Sequence, residues 1–458
     1  MKKEQLIELE ITDLNNLGCG VGRHEGQVVF VSGAVRGDRV RAKIIKVNKS
    51  FCVARLEEIL SPSPVRIDAD PCTAPLSCGG CVYRHITYDE ELKLKREYVK
   101  NAFRKAGLPQ VTVLDTLSTG RVYGYRNKAQ YPVSASKNGL RAGFFARRSH
   151  NMIPAEGCAI QHPEFAPIVA FVCEFGTKAG WTAYDEESGR GLLRHIYLRI
   201  GERTGEVMLC LVINGESLPK KGEFCRLVAE KFPSVVSLLL NKNTKNTNVV
   251  LGDEYVTLAG KDYIEDELCG LRFKISPQSF YQINRDGAEL LYGLAKDRAA
   301  LTGDQVLMDL YCGTGTIGLS MAAKARKLIG IEIVAEAVEC ARENAGRGGV
   351  SNAEFYAADA GNREVILSAA GGVRPDVVVI DPPRKGSTRE LAEVLAALEI
   401  PRIVYVSCDP DTLARDCVWF GELGYEIGDV TPVDMFPRTG HVESVVCLTR
   451  RLDVDMRR

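Results

Sequence analysis

The chain has 458 residues, 45% of them hydrophobic and 26% charged, which is enough for two to four domains that each bury a core. Lys plus Arg balance Asp plus Glu at 59 each, so overall charge argues for no anionic partner and any nucleic-acid surface has to come from local clustering. No apolar run has membrane-spanning length and residues 1–10 lack a signal-peptide core, so the expectation is a cytoplasmic protein with no membrane partner, whose 15 cysteines serve as thiols, metal ligands or nucleophiles.

In chain order, short apolar alternation broken by glycines, as in Val28-Val-Phe-Val31, predicts a small OB-like β-barrel over residues 1–62. Its later strands concentrate Arg36, Arg39, Arg41, Lys43, Lys46, Lys49 and Arg55, either a phosphate-tracking face or a solvated one. Ser61-Pro-Ser-Pro64 reads as a joint, because each proline lacks an N–H and keeps the preceding residue extended. A central α+β region follows over 63–270. It opens with Cys72, Cys78 and Cys81 and continues with a helix near 90–107, carrying Leu94, Val99 and Phe103, placed to pack on the C-terminal domain. Within this region Arg126, Lys128 and Gln130 alternate with Tyr125 and Tyr131, a mixture of cations and rings that suits RNA loops but also an ordinary strand. From 271 to 458, β-branched runs such as Val377-Val-Val-Ile380 alternate with helices and glycine turns, the pattern of a doubly wound, Rossmann-like α/β domain.

Chemistry concentrates at the predicted strand ends. Asp309-Leu-Tyr-Cys-Gly-Thr-Gly follows a strand and opens a helix, so its glycines admit a ligand close to the backbone. Glu332, ending the next strand, stands where an acid accepts hydrogen bonds from ribose hydroxyls. Asp359 and Asp381 end the following strands; three acids in this series fit a cationic ligand with one ribose, whereas a pyrophosphate would be repelled. Asp359 also fits a plain helix N-cap.

Cys408, in Val406-Ser-Cys-Asp-Pro410, lies at the same edge, whereas Cys312 inside the glycine turn reads as packing. Carbon 5 of uracil attacks a methyl sulfonium only after a thiolate adds at carbon 6, and a base must then remove the carbon 5 proton. Glu443, at the start of the last strand, is the candidate base, with His441 as its rival. Cys72, Cys78 and Cys81, with Cys158 as a plausible fourth, make a thiolate nest suited to an iron-sulfur centre or to zinc.

Gln278-Ser-Phe-Tyr-Gln-Ile-Asn284, Asp309-Leu-Tyr-Cys-Gly-Thr-Gly, Asp381-Pro-Pro-Arg384, Ser407-Cys-Asp-Pro and His441-Val-Glu-Ser resemble, in order and spacing, the RNA uracil-5-methyltransferases. The resemblance spans the whole chain and implies a class I methyltransferase domain that uses S-adenosylmethionine. It implies that Gln282, Tyr311, Glu332 and Asp381 bind that donor, that Cys408 is the nucleophile and that Glu443 is the base. The barrel resembles the TRAM domain of part of the family. The family's ribosomal-RNA members carry a 4Fe-4S cluster on this cysteine pattern, which implies Cys72, Cys78, Cys81 and Cys158 as its ligands. The implied partner is RNA, first a loop of 23S ribosomal RNA and second a transfer RNA, met by a monomer with no obligate protein partner. A dinucleotide-dependent oxidoreductase, or an RNA-binding protein without catalysis, would leave Cys408 and Glu443 without a role.

Overall fold

The structure is a computed structural model that describes residues 1–67, 69–147, 149–155 and 157–451. Glu156, next to the expected ligand Cys158, and 452–458 of the expected C-terminal domain lie outside the described residues.

Five strands form the N-terminal barrel: β1 (Leu6–Leu14), β2 (Cys19–His24), β3 (Gln27–Ser32), β4 (Arg39–Val47) and β5 (Phe51–Ser61), in the closed order β1-β2-β3-β5-β4. Alternation drives it. Ile7, Leu9 and Ile11 point inward with Val29, Val31, Val40, Ala42 and Ile44, while the residues between them face water. On that outer face most of the basic cluster is matched by carboxylates. Antiparallel register sets Glu8 opposite Arg41, and Arg39 and Arg41 both pair with Glu8, Arg41 also with Glu58, Lys43 with Glu4 and Arg55 with Glu57. Arg36 turns away to Glu90 and Glu97 of α1 (Tyr88–Lys105), pinning the barrel to that helix.

Acids in its first turn and cations in its last match the dipole of α1, and its apolar stripe of Val99, Ala102 and Phe103 enters the core under the C-terminal sheet. The central unit is a seven-stranded sheet, β12-β11-β10-β9-β6-β7-β8, from β6 (Lys128–Ser136), β7 (Gly139–Phe145), β8 (Met152–Pro154), β9 (Leu193–Ile200), β10 (Val207–Ile213), β11 (Val235–Lys242) and β12 (Glu254–Gly260). The helices α2 (Phe165–Lys178) and α3 (Lys221–Lys231) pack on it. Tyr125 and Tyr131 are 0% and 1% exposed, so these rings fill cores and are not RNA-stacking surfaces.

A hairpin of β13 (Ile264–Leu268) and β14 (Leu271–Ile275) leads to α4 (Arg285–Ala299), whose N-cap Asn284 accepts the Gly287 N–H. The C-terminal sheet then comprises β15 (Val306–Leu310), β16 (Lys327–Glu332), β17 (Ala353–Ala357), β18 (Val377–Ile380), β19 (Arg402–Ser407), β20 (Tyr425–Ile427), β21 (Thr431–Val433) and β22 (Glu443–Arg450). Its order is β17-β16-β15-β18-β19-β22-β20, with β21 on β22; β15 to β19 run parallel and β22 antiparallel. α4, α5 (Thr316–Met321) and α6 (Ala335–Arg347) cover one face, and α7 (Arg363–Ala369), α8 (Arg389–Ala397) and α9 (Pro410–Glu422) the other. This is the doubly wound class expected from the sequence. All five parallel strands end at one edge, where such folds bind ligands.

Candidate active site

Six of the seven expected catalytic and donor-binding residues lie at that edge, and Gln282 lies before α4. Tyr311, Asp359, Asp381 and Cys408 follow β15, β17, β18 and β19, while Glu332 ends β16. Glu443 begins β22, which starts at that edge and runs away from it antiparallel to β19. The register pairs Ser407 with Ser444, so Cys408 and Glu443 are the next two positions facing each other. Asp409 fixes the turn after Cys408 by capping α9, accepting the Asp411 and Thr412 N–H groups, with Pro410 in the first turn.

Burial pushes the Glu443 carboxyl up to about 8, the nearby Asp381 adds to this, and Arg384 opposes it. Burial likewise raises the Cys408 thiol to about 11, reinforced by Glu443 and Asp381 and opposed by Arg384. His441 is exposed with its ring edge-on to Phe436, and Glu443 is the carboxylate that acts on Cys408.

Asp381 joins this pair to a second group of side chains. Its carboxyl, raised by burial to about 7, acts on Asp309 and Tyr292 as well as on Cys408 and Glu443. Tyr292 shares a hydrogen bond with the Gln282 side chain and lies 3.0 Å from Thr316 Oγ1. Tyr311 has φ +62°, a left-handed backbone that strains any residue with a Cβ, and its ring lies within reach of Asp359 and Glu332. Glu332 accepts the Gly313 and Val334 N–H groups at 3.2 and 3.0 Å, and Asp359 accepts that of Gly361 at 2.9 Å.

Two residues that the sequence reading left unassigned belong here. Asp309 is 1% exposed; its Oδ2 accepts the Gly318 N–H at 2.8 Å, while its Oδ1 has no partner. Burial holds it at about 7 against that hydrogen bond, with Asp381 and Glu332 adding to the rise. A Cβ on Gly318 would stand 2.8 Å from the same carboxylate, so only glycine lets α5 begin this close. Arg384 is the cation acting on both catalytic residues. Each stood inside a quoted motif, Asp309 opening the glycine turn and Arg384 closing Asp-Pro-Pro-Arg, and position within the motif was the available signal. An orphaned buried carboxylate oxygen beside two more acids fits a cationic ligand such as a sulfonium amino acid.

The four cysteines lie near one another. Cys81 is raised to about 12 by burial and then by Cys158, Cys72 and Cys78, while Arg126 opposes the rise; Cys158 is raised by burial and senses Cys72 and Cys78. Guanidinium groups surround them: Arg84 donates to the Cys72 carbonyl, Arg147 to that of Cys81, and Arg126 senses Cys81 and Cys158 with no carboxylate partner among the described residues. Among the described residues, no three His, Cys, Asp or Glu side chains are arranged to hold one metal ion.

Comparison with known proteins agrees with this geometry. The family described as tRNA (Uracil-5-)-methyltransferase matches residues 235–451, and the TRAM domain matches 2–56. A Clostridium tetani (strain Massachusetts / E88) protein named as an uncharacterized RNA methyltransferase is 42% identical over 98% of this chain and 97% of its own length. A Halalkalibacterium halodurans protein of the same description is 41% identical, with 98% of each chain covered. The crystal structure of Pyrococcus abyssi tRNA (uracil-54, C5)-methyltransferase in complex with S-adenosyl-L-homocysteine superimposes with a TM-score of 0.78 at 27% identity, covering 97% of this chain and all of that one. The chain is an RNA uracil-5-methyltransferase, belonging to that family by its full length, its class I methyltransferase fold and its N-terminal TRAM barrel.

Proposed function

We propose that this enzyme methylates carbon 5 of a uridine in 23S ribosomal RNA, with Cys408 as nucleophile and Glu443 as base. The observation carrying this reading is the register that sets Cys408 against Glu443 beside Asp381, at the edge where the other acids converge. S-adenosylmethionine supplies an electrophilic methyl on a sulfonium. Gln282, Tyr311, Glu332, Asp359 and Asp381 hold it, with Asp309 beneath. The Cys408 thiolate bonds to carbon 6 of the uracil and pushes the ring electrons toward carbon 5, which takes the methyl as its bond to the sulfonium breaks and S-adenosylhomocysteine leaves. Glu443 then removes the carbon 5 proton, the double bond re-forms and the bond from Cys408 to carbon 6 breaks. Arg384 favours both anions that this sequence needs, the thiolate and the carboxylate.

Cys72, Cys78, Cys81 and Cys158 hold a 4Fe-4S cluster in this reading. Cys81 and Cys158 lie near each other and near Cys72 and Cys78, a donor set of four thiols that fits an iron-sulfur cluster. The surrounding guanidiniums suit a group of net negative charge. Held by these four cysteines, such a cluster would order the loop and serve a structural role.

The TRAM barrel and the cysteine group favour ribosomal RNA. The Pyrococcus likeness over the whole chain favours transfer RNA as the second reading. Mapping 5-methyluridine in both RNAs from cells lacking the protein, with wild type or Cys408→Ala added back, decides between them. One 23S site is lost, and only wild type restores it; unchanged modification in both RNAs overturns the assignment.

A further inference from the structure

The barrel reaches the segment that leads to Glu443 through its first loop. Residues 15–18, between β1 and β2, form a tight turn in which the Asn15 side chain accepts the Leu17 and Cys19 N–H groups. The turn is fixed from outside as well. Tyr83 donates its hydroxyl to the Asn15 carbonyl, Arg147 donates to that of Leu17 at 3.1 Å, and a Cβ on Gly18 would meet the Val82 carbonyl at 2.5 Å.

Asn16 packs on the segment that leads to Glu443 and is linked through Tyr98 of α1 to the helix that follows Cys408. Its carbonyl lies so close to Gly440, three residues before Glu443, that a Cβ there would stand 1.8 Å from it. Its side chain hydrogen-bonds Tyr98, whose hydroxyl donates at 2.9 Å to Asp411, three residues after Cys408. The next residue, Leu17, is 52% exposed. A solitary exposed leucine is ordinary. This one sits on a turn fixed against the segment that leads to Glu443, with the Arg147 guanidinium bonded to its own carbonyl.

We propose that Leu17 is an apolar contact for the RNA bases flanking the target uridine, filling the space left when that base swings out toward Cys408. The inference rests on the uridine chemistry at Cys408 and adds to it a specificity contact supplied by the barrel. The barrel is then a wall of the active site in addition to being an RNA-binding module.

The test compares Leu17→Asp and Leu17→Ala with Leu6→Asp, a charge placed on a leucine 58% exposed at the far end of β1. The substrate is whichever unmodified transcript, 23S ribosomal RNA or transfer RNA, wild type methylates; if it methylates neither, the proposed function fails first. Expected is a rise of about tenfold in KM for RNA with Leu17→Asp and a smaller rise with Leu17→Ala, with S-adenosylmethionine affinity unchanged and Leu6→Asp at wild-type values. A wild-type KM for Leu17→Asp, or an equal rise with Leu6→Asp, overturns the proposal.

Discussion

As the proposed base, Glu443 must have lost its proton, and burial keeps that proton on until about pH 8. Its pKa is raised, so the active form gains as pH rises through that value; kcat/KM should climb from pH 6 to 9, and the climb should be traceable to Glu443 in a pH–rate profile. Glu443→Gln keeps the shape and removes the base. It should accumulate a covalent RNA adduct through Cys408 that survives denaturing gels, with turnover reduced by about 10²-fold or more. Asp381 and Asp309 both sit near 7 in the free protein. A cation bound against them favours their charged forms and lowers both values, so donor binding near neutral pH should release protons. Calorimetry in buffers of different ionisation enthalpy reads this directly, and proton uptake would contradict the placing of a sulfonium there.

At the scale of elements, α1 is tied to the segment that precedes Glu443 by a buried ionic network. Lys95, 1% exposed, reaches Glu91 at 2.8 Å, Asp434 at 2.6 Å and the Phe436 carbonyl at 3.2 Å. Arg438, itself in a left-handed conformation at φ +69°, donates to the Tyr83 and Ile86 carbonyls and pairs with Glu91. Lys95→Met strands two buried carboxylates side by side and should destabilise the protein by about 3–5 kcal/mol in denaturant titrations at neutral pH. The loss should shrink as pH falls, because the stranded acids then take up protons. The periodicity of α1 was legible from Leu94, Val99 and Phe103, but which acids would meet Lys95 depends on a chain segment more than three hundred residues away.

For the whole molecule, the barrel, the cysteine loop and the C-terminal sheet meet in one place. Val82 and Tyr83, just past Cys81, donate their N–H groups to the Arg438 carbonyl, and Tyr125, beside Arg126, donates to that of Pro437. The cysteine loop therefore supports the segment that leads to Glu443. Anaerobically purified protein should be brown and contain iron, and Cys81→Ser should lose both the colour and thermal stability. Zinc in place of iron in the wild type would overturn the cluster assignment.

The C-terminal fold and the edge that carries the candidate site were written into local sequence, because a parallel sheet buried on both faces needs continuous apolar runs, and strand ends need turn residues and caps in fixed places. Cys408, Glu443 and the acids stand at such ends, so position along the chain located them without coordinates. Tertiary structure alone decided what depends on partners distant in sequence. It paired the barrel's basic residues with carboxylates across the strands, moved Tyr125 and Tyr131 into cores, left one oxygen of Asp309 unpartnered, and set the loop of residues 15–18 against Gly440. Charge and aromatic content are properties of a segment, whereas exposure and pairing belong to the packing around it, and only the packed chain specifies those.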